Sequence, residues 1–350
     1  MQAGDDILRL LAEKGAEAAR RSESALILQP GAIGDCLLTL PLANFLKQHL
    51  PLGGVEMLGR ADYLSILPGR TNIDGIHSID SIQLHRLFVN HRSFDLPDHD
   101  PLIDFFAGYT WIISFLGEPE SNFEQNLIFT AHCSHSAEVI TLPTIPGTQP
   151  ACHISHYYIR RFIESCNLDI DCRAADLNAQ LLRPSTADVQ RGTTLLEELG
   201  CDTTARVVVI HPGSGAPRKC WHLSNFIAVA ESLRRKDFEV LFLLGPAETE
   251  RLTHPDRESM LRVGRCANTL PLGAVVALLS CAHAYIGNDS GITHLAAGLG
   301  LRTMAVFGPT NPTVYRPIGP RVQVFSWPGD HFDKDPAPAL QRQLLDALAC

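Results

Sequence analysis

The chain has 350 residues, 45% of them hydrophobic and 19% charged, enough for two domains each with a core of its own. Its net charge of −9 argues against a nucleic-acid binder, which presents a basic footprint. No apolar run reaches the roughly 18 residues of a membrane helix, and the acidic opening MQAGDDILRL does not read as a signal peptide.

Residues 1–24 read as an amphipathic helix, with Ile7, Leu8, Leu10 and Leu11 on one side. Ala25 to Gln29 is a short apolar strand running into Pro30-Gly31-Ala32-Ile33-Gly34-Asp35, and a helical pattern follows from Leu37 to Leu50. Strand, glycine turn and helix open a doubly wound α/β sheet. The turn lacks both Gly-x-Gly-x-x-Gly and Gly-Lys-Ser/Thr, so neither a dinucleotide fingerprint nor a P-loop is present. Asp35 stands at the carboxyl end of the first strand, where open sheets bind ligands; a helix-capping role fits the local residues equally well.

Further strands are expected at Val55 to Leu58, Ile76 to Ile79, Trp111 to Leu116 and Ala137 to Ile140, with a helix at Ala61 to Leu67. His85 to Asp104 is polar and turn-rich, and the proline-rich stretch 141–150 is loop. Helices follow at His153 to Cys166 and at Thr186 to Leu199, the second capped by Ser185 and closed by Gly200. The domain junction is placed between Leu181 and Gly200, because the pattern restarts at Arg206.

Val207 to Ile210 is a continuous apolar strand suited to a buried parallel sheet. The turn after it, HPGSGAPRK, ends in Arg218 and Lys219. A helix from Phe226 to Arg235, a strand from Glu239 to Leu244 ending at Glu248, a helix through Glu250 and Arg251, and another from Ala274 to Ser280 after Gly273 complete the approach to the most informative stretch. This stretch is Tyr285 to Thr310: strand, Gly287-Asn288-Asp289-Ser290-Gly291, a small-residue helix from Ile292 to Leu299, and a strand from Thr303 to Phe307. Asp289 or Ser290 caps the helix, and Gly291 permits close backbone approach. The unpaired N–H groups from Ser290 to Thr293, Ile292 among them, then favour an anion such as phosphate, with His294 as a further donor. An apolar-periodic helix from Ala337 to Ala349 ends the pattern.

The ten cysteines are scattered, without Cys-x-x-Cys or zinc-finger spacing, and are expected as buried reduced thiols in a cytoplasmic protein. His132-x-x-His135 and His153-x-x-His156 have helical i,i+3 spacing, but no carboxylate motif accompanies them and no metal site is assigned.

Three segments in this order resemble glycosyltransferase family 9, the ADP-heptose:lipopolysaccharide heptosyltransferases. They are Gly31-Ala32-Ile33-Gly34-Asp35-Cys36-Leu37-Leu38-Thr39-Leu40-Pro41; His211-Pro212-Gly213-Ser214 with Lys219-x-Trp221; and Asn288-Asp289-Ser290-Gly291-Ile292-Thr293-His294. Phe307-Gly308-Pro309-Thr310 adds to them, whereas 84–150 carries no matching motif. The resemblance implies a GT-B architecture, two Rossmann-like α/β domains facing across a cleft: an N-terminal acceptor domain (25–190) and a C-terminal nucleotide-sugar domain (191–335). Separately from the resemblance, the last helix (336–350) is expected to pack back on the N-terminal domain. It implies inversion at the anomeric centre with no cofactor or metal, Asp35 as general base with Gly31 and Gly34 in the acceptor-side loop, and Lys219 on the donor's phosphate and sugar. Asp289 would touch the transferred sugar, and Ser290 to Ile292 would donate to the diphosphate. Glu248, or Glu250 at a small offset, would bind the ribose, with Gly273 and His294 also on the donor side.

The expected function is therefore transfer of heptose or a related sugar from an ADP-type donor to a lipopolysaccharide-core-like acceptor. The partners are the nucleotide-sugar and a lipid-linked saccharide at the inner-membrane surface, which Lys14, Arg20 and Arg21 would help to approach. A nucleotide-sugar binding protein without turnover is the alternative, disfavoured because Asp35, Lys219 and Asp289 are all kept. A dehydrogenase is disfavoured by the missing glycine fingerprint.

Overall fold

The computed structural model describes residues 23–145, 152–170, 176–327, 332 and 337–349. The expected N-terminal helix falls outside them, save for Glu23 and Ser24, the latter beginning the first strand. The chain divides into two compact units, one of residues 1–31, 39–149 and 155–174, the other of 32–38, 150–154 and 175–350.

The first unit carries a five-stranded parallel sheet in the order β3-β2-β1-β4-β5. Its strands are β1 (Ser24–Gln29), β2 (Gly54–Gly59), β3 (Gly75–Ser78), β4 (Trp111–Ser114) and β5 (Glu138–Thr141). Ile27 lies between Met57 and Ile113, all three fully buried. Helices covering both faces of a parallel sheet explain why β1 reads as an unbroken apolar run rather than an alternating one. The polar, turn-rich segment 85–104 contains two short 3-10 turns and runs into the helix Pro101–Phe106, capped by the Asp100 carboxylate. The helix Asn122–His132 was not foreseen: its buried Asn126 interrupts the apolar face, and that amide is spent on the Leu87 and Val89 carbonyls.

The second unit holds a six-stranded parallel sheet ordered β11-β10-β9-β6-β7-β8. Its strands are β6 (Arg206–His211), β7 (Phe238–Leu244), β8 (Arg265–Asn268), β9 (Ala284–Asn288), β10 (Arg302–Phe307) and β11 (Val322–Ser326). The order reverses between the neighbours β6 and β9, and the loops that leave their carboxyl ends flank that switch point. The outer strands β8 and β11 escape the sequence reading because RCAN and VQVFS are short, partly exposed edge segments.

The second unit extends further towards the N-terminus than the expected junction. Leu181 and Leu182 donate their N–H groups to the Gly298 carbonyl, and the helix Thr186–Glu198 packs on Leu272–Cys281. A Cβ on Gly192 would lie 2.1 Å from the Ala277 oxygen, so only glycine allows that approach. Ser185 and Asp188 form the capping box of the first of these helices, and Gly200 beyond its end is left-handed (φ +74°). The last helix, Pro338–Ala349, does not return to the N-terminal domain: Leu340, Leu344 and Leu348 join the core of the second unit against the helix Leu223–Arg234. Asn225, fully buried on the latter, accepts from the Ala337 N–H and the Gln341 amide.

Candidate active site

Two loops at the carboxyl edge of the second sheet converge on Asn288, the last residue of β9. Its side chain is fully buried; Oδ1 accepts from the Trp221 N–H (2.9 Å) and Nδ2 donates to the Pro212 carbonyl (2.8 Å). One amide thus anchors both ends of the 212–221 loop, the loop that carries Lys219. Ser214 adds a further tie, its hydroxyl donating to the Asp289 carbonyl at 2.7 Å.

Lys219 Nζ donates to Asp289 Oδ2 at 2.8 Å. The carboxylate side chain is 7% exposed and that of the lysine 32%, so the ammonium has directions left towards solvent. On the other side of the carboxylate, His294 Nε2 stands 3.7 Å from Oδ1, an ion-pair rather than a hydrogen-bond distance. Burial by itself would raise the Asp289 pKa, but His294 and Lys219 outweigh it and hold the group at about 2. A folded pKa depressed from 3.8 contributes stability that is complete above about pH 4 and is lost as pH falls through 2. The shift corresponds to about 2 kcal/mol. The difference in urea-unfolding free energy between the wild type and Asp289→Asn is therefore expected to shrink steadily from pH 4.5 to pH 2; a pH-independent difference would remove the charge from the argument.

The turn after β9 folds as the sequence implies. Ser290 caps the helix Gly291–Gly298, accepting from the Thr293 N–H, and the helix's first two residues are partly exposed while the rest are buried. The close approach at Gly291 is occupied by protein: a Cβ there would meet Ile33 Cγ2 at 2.0 Å. Gly34 lies against the same turn, its own would-be Cβ 3.4 Å from the His294 ring. Gly34 therefore serves packing on this turn, whereas Gly31 donates its N–H to Gln29 Oε1 at 3.0 Å. His294 is buried and its Nδ1 has no hydrogen-bond partner.

Asp35 is the third residue of the helix Ile33–His49 and is exposed, its Oδ2 accepting from the Ala32 N–H at 2.8 Å. The helix begins earlier than the sequence suggests because this back-reaching carboxylate satisfies an otherwise unpaired donor. Tyr315, at the end of the short helix Pro312–Tyr315, is raised in pKa first by burial and then by Asp35 and Asp289. Both carboxylates thus lie within electrostatic reach of one phenol.

Glu248 is buried in the first turn of the helix Pro246–Arg251. Oε2 accepts from the Gly245 N–H (2.9 Å) and Oε1 from Arg251 (3.1 Å), whose guanidinium also donates to the Ser214 carbonyl at 3.0 Å. A Cβ at Gly213 would sit 2.0 Å from Glu248 Oε1, so the glycine is required for the loop to lie over the carboxylate. His211 fills the space beneath: burial lowers its pKa, and Nδ1–H donates to the Leu243 carbonyl at 2.8 Å, leaving a neutral imidazole. Gly273 stands apart, exposed near the start of Leu272–Cys281 with open space where a side chain would be.

The structure thus joins Lys219, Asp289, Ser290 and His294 in one cluster, with Gly34 packed on the turn and Asp35 sharing the field at Tyr315. Asn288, Ser214 and Thr293 lie within the family-like segments, but the sequence assigns no role to their side chains; Arg251 and Tyr315, which also border the cluster, carry no signal there. His132 and His135 each bond a main-chain carbonyl, as does His153, and among the described residues no group of three metal-ligating side chains occurs. The described cysteines form no disulfide; Cys36 and Cys201 are buried as expected, whereas Cys133 is exposed and the others are half-buried. No helix among the described residues is long and apolar enough to cross a membrane.

Residues 164–336 match the model of glycosyltransferase family 9 (heptosyltransferase). The chain is 29% identical over 319 residues to a lipopolysaccharide heptosyltransferase 3 of Escherichia coli, covering 85% of this chain and 87% of that one. Of the solved structures it resembles, the glycosyl transferase family 9 protein of Veillonella parvula superposes with a TM-score of 0.68 at 17% identity, covering 93% and 96% of the two chains. The ADP-heptose lps heptosyltransferase II of E. coli superposes with a TM-score of 0.64 at 16% identity, covering 93% and 98%. The shared fold is GT-B, two parallel-sheet α/β domains. The matched segment contains the loops of β6 and β9 with Lys219 and Asp289, and through it the chain resembles the glycosyltransferases of family 9, the heptosyltransferase family.

Proposed function

We propose that this enzyme transfers heptose, or a closely related sugar, from an ADP-activated donor to a lipopolysaccharide-core saccharide at the cytoplasmic face of the inner membrane. Inversion at the anomeric carbon, without a metal or other cofactor, is part of the same reading. The names of its relatives support the sugar, the nucleotide and the acceptor class. The observation that carries the reading is the Lys219–Asp289 pair beside the N-terminus of Gly291–Gly298. A cation and a helix N-terminus together favour a diphosphate over a neutral ligand.

The environments of the two carboxylates support different roles. Asp289 is buried and committed to Lys219 and His294, which suits it to orient cations; Asp35 is exposed at a helix start, which suits it to receive a proton. In the proposed step the acceptor oxygen bonds to the anomeric carbon as the carbon–oxygen bond to the diphosphate breaks, its electron pair leaving with ADP. The hydroxyl proton passes to the Asp35 carboxylate. Lys219 and the Gly291 and Ile292 N–H groups meet the charge that develops on the departing diphosphate. Glu248 is proposed for the ribose hydroxyls, in exchange for one of its present bonds.

Calorimetric titration of ADP, UDP and NAD in EDTA tests the donor half. ADP is expected to bind, with UDP at least tenfold weaker and NAD silent. Binding of NAD but not ADP would end the transferase reading, and preference for UDP would keep the chemistry while discarding the ADP-activated donor.

A further inference from the structure

The hydroxyls of Tyr285, Ser290 and Thr293 meet in the interior directly beneath the helix start. Thr293 and Tyr285 are fully buried and Ser290 is 9% exposed. The direction of every proton in this group follows from one bond. The Thr293 hydroxyl lies against the Asn288 carbonyl, which can only accept, so its single hydrogen is spent there. Thr293 Oγ1 must then accept from its other neighbours, the Tyr285 hydroxyl at 3.0 Å and the Ser290 hydroxyl at 3.1 Å. Two lone pairs receive two protons and the oxygen is saturated. The Ser290 hydroxyl proton consequently points inward, and Ser290 Oγ presents a lone pair, which also receives the Thr293 N–H.

An anion needs donors, and Ser290 has none left on its side chain. The N–H of Thr293 is taken by Ser290 Oγ and that of His294 by the Ser290 carbonyl. Within the helix, the N–H groups of Gly291 and Ile292, its first two positions, remain without an intrahelical partner. We infer that Thr293 is a positioning residue that aims these two N–H groups at the donor diphosphate by fixing Asn288, Ser290 and Tyr285 around one oxygen, and that the Ser290 hydroxyl takes no direct part in binding. The inference rests on the proposed donor site and adds which atoms serve it and what orients them.

Thr293→Val preserves shape and deletes the hydroxyl; Thr293→Ser restores it. Measured with ADP by calorimetry and with the nucleotide-sugar by initial rates, Thr293→Val is expected to raise the ADP Kd and the donor KM about tenfold. The acceptor KM should stay unchanged, and Thr293→Ser should return both donor constants to within about twofold of wild type. A merely structural role would lower active enzyme without separating donor KM from acceptor KM. In the wild type, amide exchange followed by NMR should show ADP slowing Gly291 and Ile292 while leaving Thr293 unchanged, a readout that stands even where Thr293→Val does not fold. Wild-type ADP affinity in Thr293→Val, or exchange at Gly291 and Ile292 indifferent to bound ADP, overturns the inference and leaves the nucleotide reading in place. Failure of ADP to bind the wild type removes both.

Discussion

Asp35→Asn is expected to lower kcat for sugar transfer by about 10²- to 10⁴-fold, the range that a positioned general base supplies, with ADP affinity unchanged. The asparagine keeps an oxygen to accept the Ala32 N–H, so the start of the helix Ile33–His49 is preserved and the loss is one of basicity. Asp35 is the candidate because it is the exposed member of the carboxylate pair, at the carboxyl edge of a strand, while Asp289 is shielded and ion-paired. Single-turnover transfer measured beside ADP calorimetry separates chemistry from donor binding. A variant retaining more than about a tenth of wild-type kcat would move the base to another residue.

Lys219→Ala is expected to act twice. Removal of the cation nearest the leaving group should cost about 10²- to 10³-fold in kcat, as loss of one preorganised charge-stabilising donor does elsewhere, and should weaken ADP. It also leaves Asp289 buried with only the more distant His294 imidazole beside it, at 3.7 Å. Breaking a fully buried pair costs about 3–5 kcal/mol; with the lysine side chain 32% exposed, about 1–2 kcal/mol is the reasonable scale after screening. The double variant Lys219→Ala/Asp289→Asn should regain most of that stability, because no unpaired charge remains, yet regain none of the turnover. Urea unfolding of the wild type, both single variants and the double variant gives the coupling, and additive losses would show that the pair is energetically inert. Recovery of turnover in the double variant would transfer the catalytic role away from Lys219.

Expectations from particular residues fared according to how local their physics was. The continuous apolar run Val207–Ile210, the Ser185 cap and the closing Gly200 are statements about neighbours in the chain, and each stands in the structure where it is expected. The last helix was assigned to the wrong domain because its leucines specify only an apolar stripe; which core accepts the stripe is decided by Asn225, far away in sequence. The edge strands Arg265–Asn268 and Val322–Ser326 were missed because an edge strand need bury little, and their pairing is dictated by β7 and β10.

The site divides in the same way. Residue type and spacing alone point to two parallel α/β sheets with glycine turns at their strand ends and to a capped helix after Asn288, and the resemblance to family 9 singles out Asp35, Lys219 and Asp289 as candidates. Their different surroundings are decided only in three dimensions. Ion pairing and exclusion of water separate the buried Asp289 from the exposed Asp35, Gly291 serves the approach of Ile33 rather than open space, and one buried hydroxyl sets the direction of its neighbours' protons. A sequence states which groups are available, whereas a carboxylate's basicity and a hydroxyl's orientation depend on what lies within a few ångströms, and that is fixed by contacts between residues far apart in the chain.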